Sequence, residues 1–290
     1  MRKDRMRRAH QIAILSFAVM MLGIVPVKAQ APGPGNRRPP SALESGKLIE
    51  KNGKKYLWGG PDEASSFDIT DCPLEISHLH YGMGREYRPA LIHPEFVSAR
   101  EADQWLKDDK RVLAVRIGGE IKAYPTDLLV RHAMVNDVVG GRPVLAAYCY
   151  LAELGAVYER TYRSRTFTFG CSGYTYFDPR YWEGKDAFVL WDRETESLWW
   201  PVAGNAVSGP MHGEPLRLLD SGLWSQTTWG ELKSAHPEAM VLAPGQTMEP
   251  PAGWTRYAPE QLKEAKASAV LADSIAPHWG DNSSFGNPKP

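Results

Sequence analysis

Short apolar runs broken by tight turn signals recur through this chain and limit its fold more than any other feature. Val112-Leu-Ala-Val-Arg-Ile117 and Glu120-Ile-Lys-Ala-Tyr124 flank Gly118-Gly119, and two shorter runs flank Asn52-Gly53. Such dipeptides supply the positive φ that a two-residue hairpin turn requires, so both places predict β-hairpins. Ala156 to Tyr162 and Thr166 to Ser172 are expected to pair across Arg163-Ser164, and Ala187 to Trp191 and Leu198 to Val202 to flank the turn Asp192–Ser197. Gly140-Gly141 should turn into a strand from Val144 to Cys149, with further strands at Leu216–Leu219 and Met240–Leu242. Helical spacing is confined to a few places. Thr126 can cap a helix that carries Leu128, Leu129, His132 and Val135 on one face and ends near Asp137; a second helix spans Thr228 to Ala235. No βαβ rhythm occurs. The expected class is α+β, a largely antiparallel β-sheet built from hairpins with a few short helices packed on it.

The N-terminus directs the chain out of the cytoplasm. Arg2, Lys3, Arg5, Arg7 and Arg8 precede an apolar run of 14 residues, Ile12 to Val25, and Val27-Lys28-Ala29 places small residues where a signal peptidase reads. The run is short of the roughly 20 residues that span a bilayer. Residues 1–29 therefore read as a secretory signal peptide, with cleavage near Gln30 and a periplasmic or extracellular product that keeps no membrane span. This segment holds six of the 34 basic and one of the 34 acidic residues, leaving 28 and 33. A slightly acidic product offers no electrostatic footprint for nucleic acid. Residues 30–47, rich in Pro, Gly and Arg, read as a disordered linker. Residues 48–245 form one domain, in which Phe67 to Pro94 is an arm lying over the core, and 246–290 is a C-terminal extension with helical content from Pro259 to Ile275. A core of this size does not require disulfides.

Groups able to ligate, bond or attack cluster between His132 and Trp199. They are His132-Ala-Met-Val-Asn136-Asp137, Tyr148-Cys149-Tyr-Leu, Phe169-Gly-Cys171-Ser172-Gly173 and Asp192-Arg193-Glu-Thr195-Glu-Ser197-Leu-Trp199. Their order and spacing resemble the bacterial domain-of-unknown-function family 3179, whose members typically show "AYP…L…HE…ND", "YCPLC", "F-G-x-SG" and "YDRxTxSLW" blocks. The resemblance runs from about Gly82 to Leu242. It implies that the motif residues gather in loops and strand ends, and it names no reaction. Ala133 replaces the family's usual Glu. Ala152 stands where the second cysteine of "CPLC" falls, which removes a Cys-x-x-Cys pair and weakens a redox or metal role at that motif.

On their own chemistry the residues leave alternatives open. His132 and Asn136, four apart on a helix, could share a face and hold a metal or a carbonyl, or simply end the helix. Cys171 could compensate for the missing cysteine. In a simple meander, however, Cys149 and Cys171 would lie two strands apart, roughly 9–10 Å, beyond the reach of a disulfide. Three cysteines leave at least one thiol unpaired, and Cys72 reads as a lone buried thiol. Ser172 lacks the Gly-x-Ser-x-Gly elbow of a hydrolase, and Gly173 suits a bulge. Asp192 and Ser197 suit turn bonding, while Arg193 either binds an anion or pairs with Glu194 or Glu196. His78 and His80, two apart, could point the same way on a strand and supplement a metal site, but the turn-rich context reads as exposed; His212, beside Gly213, reads as a loop residue, and most of the ten tryptophans as ordinary packing.

Two functions from different classes follow. In the first, an exported accessory domain holds a small ligand or a metal ion at His132, Asn136, Asp137, Cys149, Arg193 and Trp199; imidazole and thiolate from His132 and Cys149 suit zinc or copper. In the second, an extracytoplasmic enzyme of unassigned class uses Cys149 or a metal near His132. The absent second cysteine favours binding. The expected partner is a small ligand or another envelope protein.

Overall fold

The computed structural model describes residues 39–60, 63–82, 84–86, 88–180 and 185–246. Residues 1–29, expected to be a signal peptide, residues 30–38 of the expected linker and the helix expected at 259–275 lie outside the described residues.

The architecture is α+β with almost wholly antiparallel pairing, built in layers. At its centre stands a three-stranded sheet, with Arg142–Cys149 between Met134–Val139 and Leu154–Glu159. Period-2 alternation sends Leu145, Ala147 and Cys149 to one face and Val144, Ala146 and Tyr148 to the other. Both faces are covered, which is why this run reads as continuously apolar. The first face packs on Phe188, Leu190 and Trp199 of a five-stranded sheet. That sheet is ordered Asn205–Ala206, Leu198–Trp200, Ala187–Asp192, Phe169–Tyr176, Leu79–Tyr81. The second face packs on Leu113, Val115 and Tyr124 of another five-stranded sheet. Its order is Trp224–Thr228, Arg111–Ile117, Glu120–Pro125, Met240–Leu242, Phe96–Ser98. Outermost on one side lie the helices Ala99–Ala102 and Trp229–Ala235. On the other lies the small sheet of Leu48–Lys51, Lys54–Leu57 and Phe67–Asp68.

Local chemistry explains the elements. The hairpins at Asn52-Gly53 and Gly118-Gly119 form where expected, and Gly140-Gly141, expected to lead from a helix into a strand, closes a third hairpin between two strands, each with positive φ at both turn residues. Thr228 caps the last helix in a box with Glu231, each side chain meeting the other residue's backbone N–H. Trp191, Trp199, Trp200 and Trp229 are fully buried.

Four expectations are corrected. The helix Thr126–His132 stops at His132, and Thr126 is its first residue rather than its cap. Ala133 takes φ 59°, reversing the chain into the strand Met134–Val139. The β-branched run Val135…Val138-Val139 explains the switch, because Val135 fits a strand as well as a helical stripe. Pairing across Arg163-Ser164 is limited to Thr161–Tyr162 and Arg165–Thr166. Phe169–Tyr176 then leaves for the neighbouring five-stranded sheet, so the three-strand meander does not form. Leu216–Leu219 is no strand; Leu218 makes a single bridge to Tyr158. Finally, Ser41 bridges His80 and Ala42 is completely buried, so the end of the supposed linker packs on the core.

Candidate functional site

Asn136 and Asp137 are neighbours on a strand, and their side chains serve opposite faces. The Asn136 amide acts as a clamp between layers. Its Nδ2 donates to Phe169 O at 2.8 Å and Leu91 O at 3.3 Å, and its Oδ1 accepts from Phe169 N at 2.8 Å. Asp137 faces the other sheet, where it accepts from Tyr124 Oη at 2.7 Å and Lys122 Nζ at 3.0 Å. The structure therefore does not bring this pair together.

Cys149 ends the central strand, buried among Tyr158, Phe188 and Leu190. Burial pushes its thiol up to about 11, against the backbone N–H groups of Ala152, Phe188 and Leu151, which favour the charged form, and the Arg88 guanidinium. The departure of Phe169–Tyr176 to the facing sheet packs Cys171 against the same cluster. Burial first, then the Glu86 carboxylate, pushes the Cys171 thiol up to about 12. Both cysteines are free thiols, as is half-buried Cys72, which sits in a different cluster. At neutral pH both thiols keep their protons, so the location is built for packing or binding more than for nucleophilic attack.

Arg88 completes this region. Its guanidinium lies 4.4 Å from the centre of the Tyr150 ring and donates to Val130 O. Arg88 is partly exposed and, among the described residues, pairs with no carboxylate. Tyr150 is 37% exposed. The backbone of His132 adjoins this region, since the next residue, Ala133, accepts the Tyr148 N–H at 2.9 Å. His132 itself is buried. Zinc sites use three or four protein ligands, and among the described residues no group of three or more His, Cys, Asp or Glu is placed to hold a metal ion.

Arg193 and Trp199 have other engagements. Arg193 pairs with Glu86, whose Oε1 accepts from Nε at 3.1 Å and Nη2 at 3.0 Å. Glu196 instead lies 3.5 Å from Arg85, and Glu194 accepts the Thr168 N–H. Trp199 Nε1 donates to Asp192, which also accepts the Thr195 N–H and hydroxyl as the turn chemistry predicts. Ser172 is buried, donating to Val189 O and accepting from Tyr174 N. Gly173 takes φ 87° where the register between Cys171 and Thr175 shifts, the expected bulge. His212 is exposed, but His80 is buried against Asp186 at 2.6 Å.

The arm that brings Glu86 and Arg88 to the site also ties two layers together. Glu86 N donates to Cys171 O at 2.8 Å, and Leu91 exchanges bonds with Met134 and Asn136 on the central sheet. The family described as "Protein of unknown function (DUF3179)" matches residues 85–261. The chain belongs to that family. Its match begins at Arg85, so the DUF3179 region includes Glu86 and Arg88, both missed by sequence reasoning. Nothing local marks them: Glu86 sits at φ 58° in a turn-rich stretch without periodicity. No curated protein and no solved structure matches the chain.

Proposed function

We propose that the protein is an exported accessory domain that binds a small anion where Arg88 stacks on Tyr150, beside Cys149 and Cys171. One observation carries this reading. Arg85 and Arg193 each face a carboxylate, whereas Arg88 faces none among the described residues and is partly exposed. A guanidinium presents a planar fork that matches a carboxylate or phosphate, and the ring beneath holds that fork in place. Leu151, Ala152 and Cys171 give the surroundings an apolar lining. Export rests on the basic, apolar and small-residue order of the first 29 residues. The alternative, an enzyme using Cys149, needs a thiolate at neutral pH, and burial opposes it. Metal binding at His132 and Cys149 lacks a third protein ligand of the usual kinds among the described residues.

The test is a thermal shift assay with phosphate, citrate and benzoate, ionic strength being held constant with chloride. Saturation to about 100 times Kd stabilises by about 2.7 kcal/mol. At least one anion should raise Tm in the wild-type protein and leave Arg88→Gln unmoved. Equal shifts in both proteins, or no shift with any anion, would overturn the proposal.

A further inference from the structure

Beyond the Arg88 site, and independently of it, the geometry points to a second anion site inside the protein: Arg160 holds a small monovalent anion of the chloride class at its Nε edge. Arg160 follows the strand Leu154–Glu159 and is 7% exposed. Its Nη1 donates to Phe167 O at 2.8 Å and reaches Asn136 Oδ1 at 3.5 Å, and its Nη2 donates to Asp137 O at 3.0 Å. All three acceptors are neutral. A guanidinium carries five N–H groups, so the Nε hydrogen and one on Nη2 are left over. Nε is buried and has no hydrogen-bond partner among the described residues. Nε and the adjoining Nη2 form the edge with which an arginine grips an anion side-on.

The charge is unmatched at contact distance as well. The Asp137 carboxylate turns away to Lys122 Nζ at 3.0 Å and Tyr124 Oη at 2.7 Å. Glu194 is the other carboxylate that acts on Arg160, but its Oε2 takes the Thr168 N–H at 2.7 Å and the residue is half-buried. Among the described residues neither carboxylate bonds to Arg160. A buried ion without a hydrogen-bonded counter-ion is costly. Burial accordingly pulls the guanidinium down to about 10, and a bound anion offsets that penalty. A water molecule would complete the Nε bond and leave the charge unmatched. Near enclosure and a single positive charge set the ligand class: monovalent and about the size of chloride.

Bromide stands in for chloride in the test. Crystals of the full chain grown in sodium bromide are read for anomalous signal, and Tm is followed as bromide replaces gluconate at constant ionic strength. The titration uses Arg88→Gln protein, so that the other site contributes nothing. A bromide peak is expected within hydrogen-bond reach of Arg160 Nε, with a saturable rise in Tm. Adding Glu194→Gln keeps an oxygen for the Thr168 N–H and removes the competing charge, so half-saturation should come at a several-fold lower bromide concentration. Adding Arg160→Gln should abolish the saturable rise. Three outcomes would overturn the inference: a water at Nε without anomalous signal, a bromide peak there without the rise in Tm (an adventitious ion only), or a Glu194→Gln titration that coincides with its parent's. Diffraction and the Glu194 variant decide the matter even where Arg160→Gln fails to fold.

Discussion

Glu86 and Arg193, 107 residues apart in sequence, meet in a two-pronged ion pair whose side chains are 4% and 11% exposed. The pair fastens the arm to the turn after Ala187–Asp192, so it couples segments that no local pattern relates. Burial raises the Glu86 carboxyl, and the Arg193 guanidinium pulls it back.

Removing one partner strands the other. Arg193→Ala should therefore cost about 3–5 kcal/mol, read as a lowered urea midpoint. Glu86→Ala with Arg193→Ala should cost less than the sum of the two single changes. Strict additivity would show that the pair is not a unit.

Gly170 lies against that carboxylate. A Cβ at this position would stand 2.1 Å from Glu86 Oε1 and 2.9 Å from Trp191 Nε1. Gly170→Ala should lose about 1–3 kcal/mol, the usual cost of overpacking. Adding Glu86→Ala should recover part of the loss in the same urea titration. An unaltered midpoint in the single variant would contradict the packing described above.

Asn136→Ala leaves the Phe169 N–H and C=O without their bonds. Each buried polar group left unsatisfied costs about 1–3 kcal/mol, so stability should fall by more than a typical surface change. Amide exchange at Phe169 should speed up in parallel. Protection that stays at the wild-type level would mean that the amide is not what holds Phe169.

The two core thiols set a pH dependence. Their folded values lie near 11 and 12, above the ordinary cysteine value of about 8.5. At pH 8 only about a thousandth of Cys149 is thiolate. Iodoacetamide should thus modify it far more slowly than a free thiol, the rate rising about tenfold per pH unit up to about 11. Because the folded values are raised, their contribution to stability is complete below about 8.5. It is lost as pH rises through about 11. Alkylation of Cys149 at pH 8 as fast as glutathione would contradict the burial.

Hairpins were legible because a glycine pair or Asn-Gly dictates its own turn, as at Gly118-Gly119 and Asn52-Gly53. Met240–Leu242 is legible as a short apolar run and matches its expected bounds. Met134–Val139 was misread because Leu128, Leu129, His132 and Val135 satisfy a helical period until Ala133 reverses the backbone. That Cys149 and Cys171 belong to one apolar cluster was hidden for a different reason. Adjacent segments are expected to pair, and only the crossing of Phe169–Tyr176 into another sheet brings Cys171 to the cluster that holds Cys149. Glu86 and Arg88 carry their roles through partners far along the chain, which periodicity does not record.

The Asn136 amide has one more consequence. Phe169–Tyr176 pairs with Ala187–Asp192 on one side, on both flanks of the bulge between Cys171 and Thr175, but on the other Leu79–Tyr81 reaches only Tyr174 to Tyr176. The remainder would be an open strand edge, a template on which a second chain could add. Instead the carboxamide of Asn136, with donor and acceptor side by side as in a peptide group, occupies Phe169. The N–H groups of Glu86 and Gly82 occupy the carbonyls of Cys171 and Gly173. A single side chain and a stretch of arm thus do the work of a missing strand along that margin.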